Sequence, residues 1–175
     1  MRAFRLRWAG QIAQLICADD EDWCFVTLVP PEKFKLGDLS DYNPKLAKDR
    51  LRKQFARGAL SGSIAVGGID FSFNVSANGN SHWQPHWHIL IKSSSEDART
   101  ALKQYFPGSS SVVVKAVRKA EVLGVATYTL KSTFKIKQPR PDLNNKAPSV
   151  SAIHLAELMP LLDRWGIVQR LFQRF

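Results

Sequence analysis

The sequence predicts an α+β domain in which helices pack on a sheet of short strands. The 175 residues are 45% hydrophobic, enough for one buried core. Runs of β-forming residues alternate with segments whose apolar residues recur at helical spacing. No run approaches the about 18 apolar residues of a membrane span, and the N-terminus lacks a secretory apolar run, so a cytoplasmic protein is expected. Cys17 and Cys24 lack disulfide or zinc-ribbon spacing and are expected to be reduced.

The first half of the chain predicts three strands and one helix. The run at 23–29 is rich in β-formers and ends at a Pro-Pro pair, which indicates a short buried strand. A helix is expected at 44–57, because an Asn-Pro cap signal precedes apolar residues four positions apart and a glycine follows. Two strand-like runs follow, at 64–75 and 83–92. The Asn-Gly pair in the spacer between them favours a hairpin turn.

The second half predicts one more strand and three helices. A serine run before two acidic residues starts a helix at 93–95, and a Pro-Gly pair ends it. The valine-rich run 111–117 is typical of a strand, and a helix is expected over 118–134. A last helix at 152–174 is expected to bend at Pro160. One side of this helix is apolar and comprises Leu158, Leu161, Leu162, Trp165, Val168 and Phe172.

The order of these elements predicts the architecture. From residue 23 it reads strand, helix, strand, strand, helix, strand, which is the split βαβ pattern of ferredoxin-like folds. In that pattern the first and third strands are central neighbours in an antiparallel sheet, and two helices cover one face. We expect a single domain over 1–175 with its core at about 23–137. A Pro-rich loop at 138–149 would lead to a C-terminal helical extension at about 150–175.

The positive charge is concentrated in two segments. The chain carries a net charge of +10, and residues 45–57 and 115–146 contribute +5 and +6, so the remainder is close to neutral. A basic excess of this kind indicates a polyanionic partner, nucleic acid before a membrane surface, although each segment alone could be a solvated helix face. The candidate DNA-binding residues are Lys48, Arg52, Lys53, Lys115, Arg118, Lys135 and Lys137.

Three of the four histidines lie in the third predicted strand. Alternate residues of a strand share a face, so His82, Gln84, His86 and His88 are expected to point the same way. Two imidazoles two positions apart can chelate one divalent ion, and Asp70 on the preceding strand is a suitable carboxylate ligand. The pattern therefore predicts either a metal site or a metal-free histidine pair of the kind common in half-buried strands.

A tyrosine and a lysine lie three positions apart downstream of the histidines. Tyr128 and Lys131 would therefore share one side of a helix. A phenol beside an ammonium group can act as a nucleophile toward a metal-bound phosphate. Without the histidines, the same pair would be read as a surface tyrosine stacked on its own helix.

Three segments in this order resemble the motifs of HUH endonucleases, especially rolling-circle plasmid replication initiators. They are FVTLV at 25–29, QPHWHILI at 84–91 and YTLK at 128–131. The second segment is the most specific, and the resemblance spans about residues 23–134. With the histidines before a single tyrosine, the order resembles replication initiators and single-tyrosine transposases rather than conjugative relaxases.

The resemblance implies a nick in single-stranded or hairpin DNA at a replication origin, dependent on Mg²⁺ or Mn²⁺. Tyr128 would form a 5′-phosphotyrosine bond and release a 3′-hydroxyl, with Lys131 positioning the phosphate or the phenolate. His86 and His88 would be metal ligands and Asp70 the third. Gln84 would follow as a further candidate, and His82 after it.

The resemblance also carries expectations about water activation and partners. Some initiators have a glutamate one turn before the tyrosine, where this chain has Gly124, so Glu121 two turns before Tyr128 is the candidate water-activating residue. The chain has no Walker-type loop, so a host helicase and polymerase are expected partners. A bacterial protein encoded by a mobile element is expected.

Two alternatives remain open from the sequence. A non-catalytic ferredoxin-like module that binds single-stranded DNA or RNA would form no covalent adduct. A single-tyrosine transposase of the same superfamily would share the chemistry, and it would form dimers and transfer strands between two DNA ends.

Overall fold

A computed structural model describes residues 2–108, 111–131, 134–137 and 150–174. The predicted α+β class is confirmed, with five α-helices and six strands in those ranges. In chain order the elements are α1 (Arg2–Cys17), β1 (Trp23–Leu28), α2 (Pro44–Phe55), β2 (Ala65–Val75), β3 (Ser81–Lys92), α3 (Ser95–Lys103), β4 (Val112–Ala116), α4 (Val122–Thr129), β5 (Lys135–Lys137), α5 (Ala152–Arg170) and β6 (Leu171–Arg174).

The strands form one open sheet in the order β4-β1-β3-β2-β5, and β6 also pairs with β2. As predicted, the first and third strands are neighbours, and β1 pairs antiparallel with both β3 and β4. The prediction of an all-antiparallel sheet is wrong at the edge, because the short β5 runs parallel to β2. The strand β6 pairs antiparallel with the other half of β2, so β5 and β6 extend the sheet beyond the four predicted strands.

The predicted hairpin of β2 and β3 fixes the register that matters for the site. Asp70 is paired with His86, and Gly68 with His88. The turn between the strands is closed by a hydrogen bond from the Ser76 backbone N–H to the Asn80 carbonyl. Since side chains at paired positions lie on the same face, this register puts the carboxylate and both imidazoles on one side of the sheet.

The two faces of the sheet are covered by different helices. The face with the odd-numbered residues of β2 and β3 packs against α2, α3 and α5, and forms the larger core. The face with the even-numbered residues, including the histidines, is partly covered by α1 and α4. The second core joins these two helices to Val66 and Leu90 through Ala9, Ile12, Ile16, Val122 and Ala126.

The C-terminal segment is part of the sheet and of the main core, so the core of the single domain is not limited to about 23–137. Leu158, Leu161 and Trp165 are buried in the larger core, and Phe172 of β6 joins them. Val168, expected on the same apolar side, is 76% exposed. The core also begins earlier than predicted, because α1 packs against the sheet.

The helix α5 is broken at Gly166, six residues after the proline at which a bend is expected. Pro160 lies within α5, whereas Gly166 has φ 58° and ψ −170°, outside the helical region. A positive φ is easy for glycine and strained for other residues, so the chain breaks here before it enters β6. The predicted loop at 138–149 lies outside the described residues.

The predicted helix at 118–134 is much shorter in the structure. A 3₁₀ turn at Lys119–Glu121 leads into α4, and Leu130 leaves the helical region with φ −116° and ψ 28°. Tyr128 therefore lies in the last turn of α4, and Lys131 lies just beyond it. Within the described ranges, none of the helices has the length and apolar character needed to cross a membrane.

Candidate metal and tyrosine site

The central feature of the site is a buried group formed by Asp70, His86 and His88. The Nε2 atoms of His86 and His88 lie 3.4 Å and 3.9 Å from Oδ2 of Asp70. One ligand atom from each residue can be chosen so that all lie within 4.8 Å of one another. This is the trio that the strand pattern predicts, and it could hold a metal ion.

Hydrogen bonds on the far side of each imidazole orient the two rings. Nδ1 of His86 lies 3.2 Å from the Gln84 carbonyl oxygen, which can only accept, so the ring proton is on Nδ1. Nδ1 of His88 lies 3.1 Å from Oγ1 of Thr27, its neighbour on β1. Such partners commonly fix the tautomer of metal-binding histidines and leave Nε2 free for the ion.

Two buried polar atoms in this group have no hydrogen-bond partner among the described residues. They are Nε2 of His88 and Oδ1 of Asp70. Leaving a buried acceptor unpaired costs about 1–3 kcal/mol, so native proteins usually satisfy such atoms with protein, water or an ion. Two imidazoles and a carboxylate are ligands that several divalent ions accept, so the residues fit a metal without selecting one.

The protonation states of the group also suit a metal ion. Burial, together with the neighbouring His86 and Lys131, lowers the pKa of His88 to about 3. Burial alone would raise the pKa of Asp70, but its contacts with the His86 and Lys131 side chains outweigh this and lower it. At neutral pH His88 is therefore a neutral imidazole and Asp70 a carboxylate.

Lys131 links the tyrosine to the metal-binding group. Its Nζ donates to the Tyr128 hydroxyl at 3.0 Å and lies 3.1 Å from Oδ2 of Asp70. Burial alone would lower the pKa of Lys131, but its contacts with Tyr128 and Asp70 raise it above the ordinary value, so the group is an ammonium. The Tyr128 ring lies edge-on to His88, with centroids 5.0 Å apart, and remains 45% exposed.

Gly68 allows α4 to approach the sheet closely enough for these contacts. A Cβ at this position would lie 2.9 Å from Cδ2 of Leu130 and 3.0 Å from the Thr129 carbonyl oxygen. Sequence reasoning missed this residue, although a glycine inside a strand often marks a close backbone approach. It missed Phe25 as well, whose ring stacks on His88 and meets Tyr128 edge-on.

Two grooves adjoin the site. One has a volume of about 460 Å³ and is lined by Phe25, Lys115 and Tyr128, among others. The other has a volume of about 710 Å³ and is lined by His86 and Lys137, among others. Burial and the charge of Lys131 lower the pKa of Lys137. Each groove is lined by a lysine of the second basic segment, Lys115 in the first and Lys137 in the second.

Two proposed metal ligands lie apart from the trio. The Gln84 amide nitrogen donates to the carbonyl oxygens of Pro30 and Glu32, at 2.7 Å and 3.0 Å, so this side chain holds a loop. His82 is paired with Asn74 at the outer end of the hairpin and lines the second groove. The alternation of the strand correctly predicted that these side chains share a face with His86 and His88, but it does not specify which groups each side chain contacts.

Glu121 is not placed to act on the tyrosine. It precedes α4, whereas Tyr128 lies in the last turn, about 10 Å further along at 1.5 Å per residue. The Glu121 side chain is exposed, and none of the described contacts joins it to Tyr128, Lys131 or the trio.

The first basic segment lies on the other face of the sheet. Its helix, α2, packs in the larger core, opposite the histidines. Lys48 is only 7% exposed and donates to the Val168 carbonyl at 3.3 Å, so its prediction as a DNA-binding residue is wrong. Arg52 pairs with Asp49 at 3.2 Å, and Lys53 is exposed.

The remaining basic candidates lie near the second groove or beyond β4. Lys135 is exposed on β5, two residues before Lys137. Arg118 is exposed just before the 3₁₀ turn that leads to α4. The site thus consists of a buried acid and imidazole group, a phenol, an ammonium and two flanking grooves. Comparisons of this chain with protein-family models, curated proteins and solved structures find no match.

Proposed function

We propose that this protein nicks and joins single-stranded DNA in a metal-dependent reaction in which Tyr128 is the nucleophile. The contact of Lys131 with both the Tyr128 hydroxyl and Asp70 carries the proposal, because it puts a phenol beside a group suited to a metal ion. The order of the three HUH-like motifs supports the same chemistry. The class of activity is then that of a rolling-circle replication initiator acting at an origin.

The chain supplies the nucleophile and the groups that position it. The Tyr128 oxygen forms a bond to phosphorus while the bond from phosphorus to the 3′ oxygen breaks, which leaves a 5′-phosphotyrosine and a free 3′-hydroxyl. The phenol proton passes to solvent, which reaches the half-exposed ring, and the departing 3′ oxygen takes a proton from water. The Lys131 ammonium stabilises negative charge on the phenol oxygen during attack.

Asp70, His86 and His88 would hold the divalent ion. When bound, such an ion supplies Lewis-acid polarisation of the scissile phosphate. Thr27 and the Gln84 carbonyl orient the two imidazoles for this purpose. Because Asp70 contacts Lys131, its carboxylate would couple the position of the ion to that of the nucleophile.

The two grooves give a single strand a path across the site. Lys115 lies in the groove beside Tyr128, and Lys137 lies in the groove beside His86. Each can contact a backbone phosphate, on either side of the bond to be cut. A host polymerase would extend the released 3′ end while a host helicase separates the strands, as expected from the resemblance to replication initiators.

The test is the formation of a covalent protein–DNA species that survives denaturation. The full chain is incubated with single-stranded oligonucleotides and Mn²⁺ or Mg²⁺, then separated on a denaturing gel. We expect an adduct with the wild type, none with Tyr128→Phe or with EDTA, and a reduced amount with Lys131→Ala. Lys103→Ala, which removes an exposed lysine of α3 on the opposite face, is the matched control and should react normally.

An adduct with Tyr128→Phe would remove Tyr128 as the nucleophile. DNA binding by a wild type that forms no adduct with any oligonucleotide would instead favour the non-catalytic module.

A further inference from the structure

A cavity of about 370 Å³ lies on the face of the sheet opposite the histidines, between α2 and the loop that follows β1. Its volume is in the range of small-molecule sites, 300–1,000 Å³. Aromatic side chains form much of the wall, and they belong to Phe34, Tyr42, Trp87, Tyr105 and Phe106. A wall of this kind suits a flat, weakly polar ring.

The cavity adjoins the groove that begins at the candidate metal site. Four residues line both, namely Pro30, Pro31, Tyr105 and Phe106. At its other end the groove is lined by His86 and Lys137. A strand that leaves the candidate metal site along this groove would therefore reach the residues that the groove shares with the cavity.

Gln84 holds the wall that the groove and the cavity share. Its amide nitrogen donates to the carbonyls of Pro30 and Glu32, and the backbones of Phe34 and Trp83 pair with each other nearby. The loop is thus fixed to the histidine strand by side-chain and backbone contacts. This gives Gln84 a role in shaping the groove and cavity in place of metal binding.

Polar groups in the cavity wall can bind the edge of an aromatic heterocycle. The Tyr42 hydroxyl is closed off from solvent, so the polar groups of the wall that a ligand can reach belong to other side chains. Asn43 caps α2 with its side-chain oxygen, which leaves its amide nitrogen as a donor. Gln54 is half-buried in the same wall.

The charge of α2 is consistent with an anionic chain at this place. Arg50 lines the cavity together with the acidic Glu32 and Asp41 and pairs with Glu32, so the positive charge lies beside the cavity, on the exposed Arg52 and Lys53 of the same helix. This basic segment faces away from the histidines, so it cannot contact the phosphate that Tyr128 attacks. It can contact phosphates of a strand that has passed around the end of the sheet.

We infer that the cavity binds one unstacked nucleobase of the single-stranded DNA that crosses the metal site. The inference rests on the proposed function for the identity of the strand. The aromatic walls would stack on the base, and Asn43 and Gln54 would contact its polar edge. This subsite lies on the opposite face from the chemistry and would fix the register of the strand relative to Tyr128.

Binding of nucleobases without phosphate or metal tests this inference. The four deoxynucleosides and baseless 2-deoxyribose are titrated into the full chain in EDTA, followed by ligand-observed NMR. We expect at least one deoxynucleoside to bind through its base and 2-deoxyribose not to bind. Ala47→Leu adds volume to a lining residue and should weaken binding at least tenfold. Ala56→Leu, the same change at an exposed position at the end of α2, should have no effect.

A second variant keeps the test decisive if Ala47→Leu unfolds, which thermal melting would reveal. Gln54→Ala removes a polar wall group without adding volume, and should change the relative affinities of the four bases at least threefold. Absence of binding by all four deoxynucleosides, or equal affinities in the wild type and a folded Ala47→Leu, would overturn the inference. Neither result bears on the Tyr128 adduct, and absence of that adduct leaves this result standing.

Discussion

Gly68→Ala is predicted to uncouple the tyrosine from the metal-binding group while leaving the fold intact. The new Cβ would lie 2.9 Å from Cδ2 of Leu130 and 3.0 Å from the Thr129 carbonyl oxygen, whereas ordinary van der Waals contact begins near 3.4 Å. The leucine can rotate, but the carbonyl belongs to the backbone at the end of α4. That end must therefore move away from β2 by a few tenths of an ångström.

The size of the effect follows from what this end of the helix carries. Lys131 lies 3.0 Å from the Tyr128 hydroxyl and 3.1 Å from Asp70, so a small displacement weakens a contact that already spans two elements. A misplacement of about 1 Å can cost about 10²-fold in rate, so a few tenths predict a loss of about tenfold. Overpacking of this kind costs about 1–3 kcal/mol of the free energy of unfolding, which a folded domain can usually tolerate.

The assay compares the initial rate of adduct formation on one single-stranded oligonucleotide with the melting temperature and Mn²⁺ affinity of each variant. Gly10→Ala is the matched control, because a Cβ at this α1 position has no other atom within 4 Å. We expect Gly68→Ala to react about tenfold more slowly with unchanged Mn²⁺ affinity, and Gly10→Ala to react like the wild type. A Gly68→Ala variant that reacts at the wild-type rate would refute the reasoning that close packing of α4 positions Tyr128.

Three further predictions concern the metal, the thiols and the charge. Free Mn²⁺ at 100 times its Kd should stabilise the wild type by about 2.7 kcal/mol in thermal unfolding. His88→Ala should lose this stabilisation, because it removes a proposed ligand. Gln84→Ala should keep it, because the amide of Gln84 holds a loop and does not face the ion. Loss of the stabilisation by Mn²⁺ in Gln84→Ala would instead indicate that Gln84 is a metal ligand. Ellman's reagent should label Cys17 but not Cys24 in the native chain, since Cys24 is buried and burial raises its pKa to about 12; two fast-reacting thiols would contradict this. Plotting the logarithm of the binding constant for a single strand, measured by fluorescence anisotropy, against the logarithm of the salt concentration gives a negative slope. Lys137→Ala should reduce the magnitude of this slope by about 0.7, and an unchanged slope would show that Lys137 contacts no phosphate.

Local patterns were sufficient to predict the four antiparallel strands β1 to β4 and the candidate metal-binding trio. Strict alternation in the hairpin put Asp70, His86 and His88 on one face, and the structure brings them together. The proximity of Tyr128 and Lys131 follows from their spacing at the end of a helix. In both cases the side chains are close because of regular geometry over a few residues, which sequence periodicity reports directly.

Features that depend on tertiary contacts could not be predicted from the same patterns. The helix α1 leaves Leu6 and Leu15 exposed, so its apolar residues do not mark a single side. The strand β6 forms because β2 offers it a free edge, although the sequence continues the helical spacing of α5. Gln84 has the same position in the alternation as a ligand would, and only the loop at Pro30 shows where its amide points.

The most direct test of the account is to locate the residue that becomes bonded to DNA. The full chain is incubated with Mn²⁺ and a pool of randomised single-stranded oligonucleotides, the denaturation-resistant species are digested, and the modified peptide is sequenced by mass spectrometry. The account predicts a nucleotide phosphate on Tyr128, and none when Asp70→Asn replaces the wild type. A phosphate on another residue, or no modified peptide from a chain that binds both Mn²⁺ and the DNA, would contradict it.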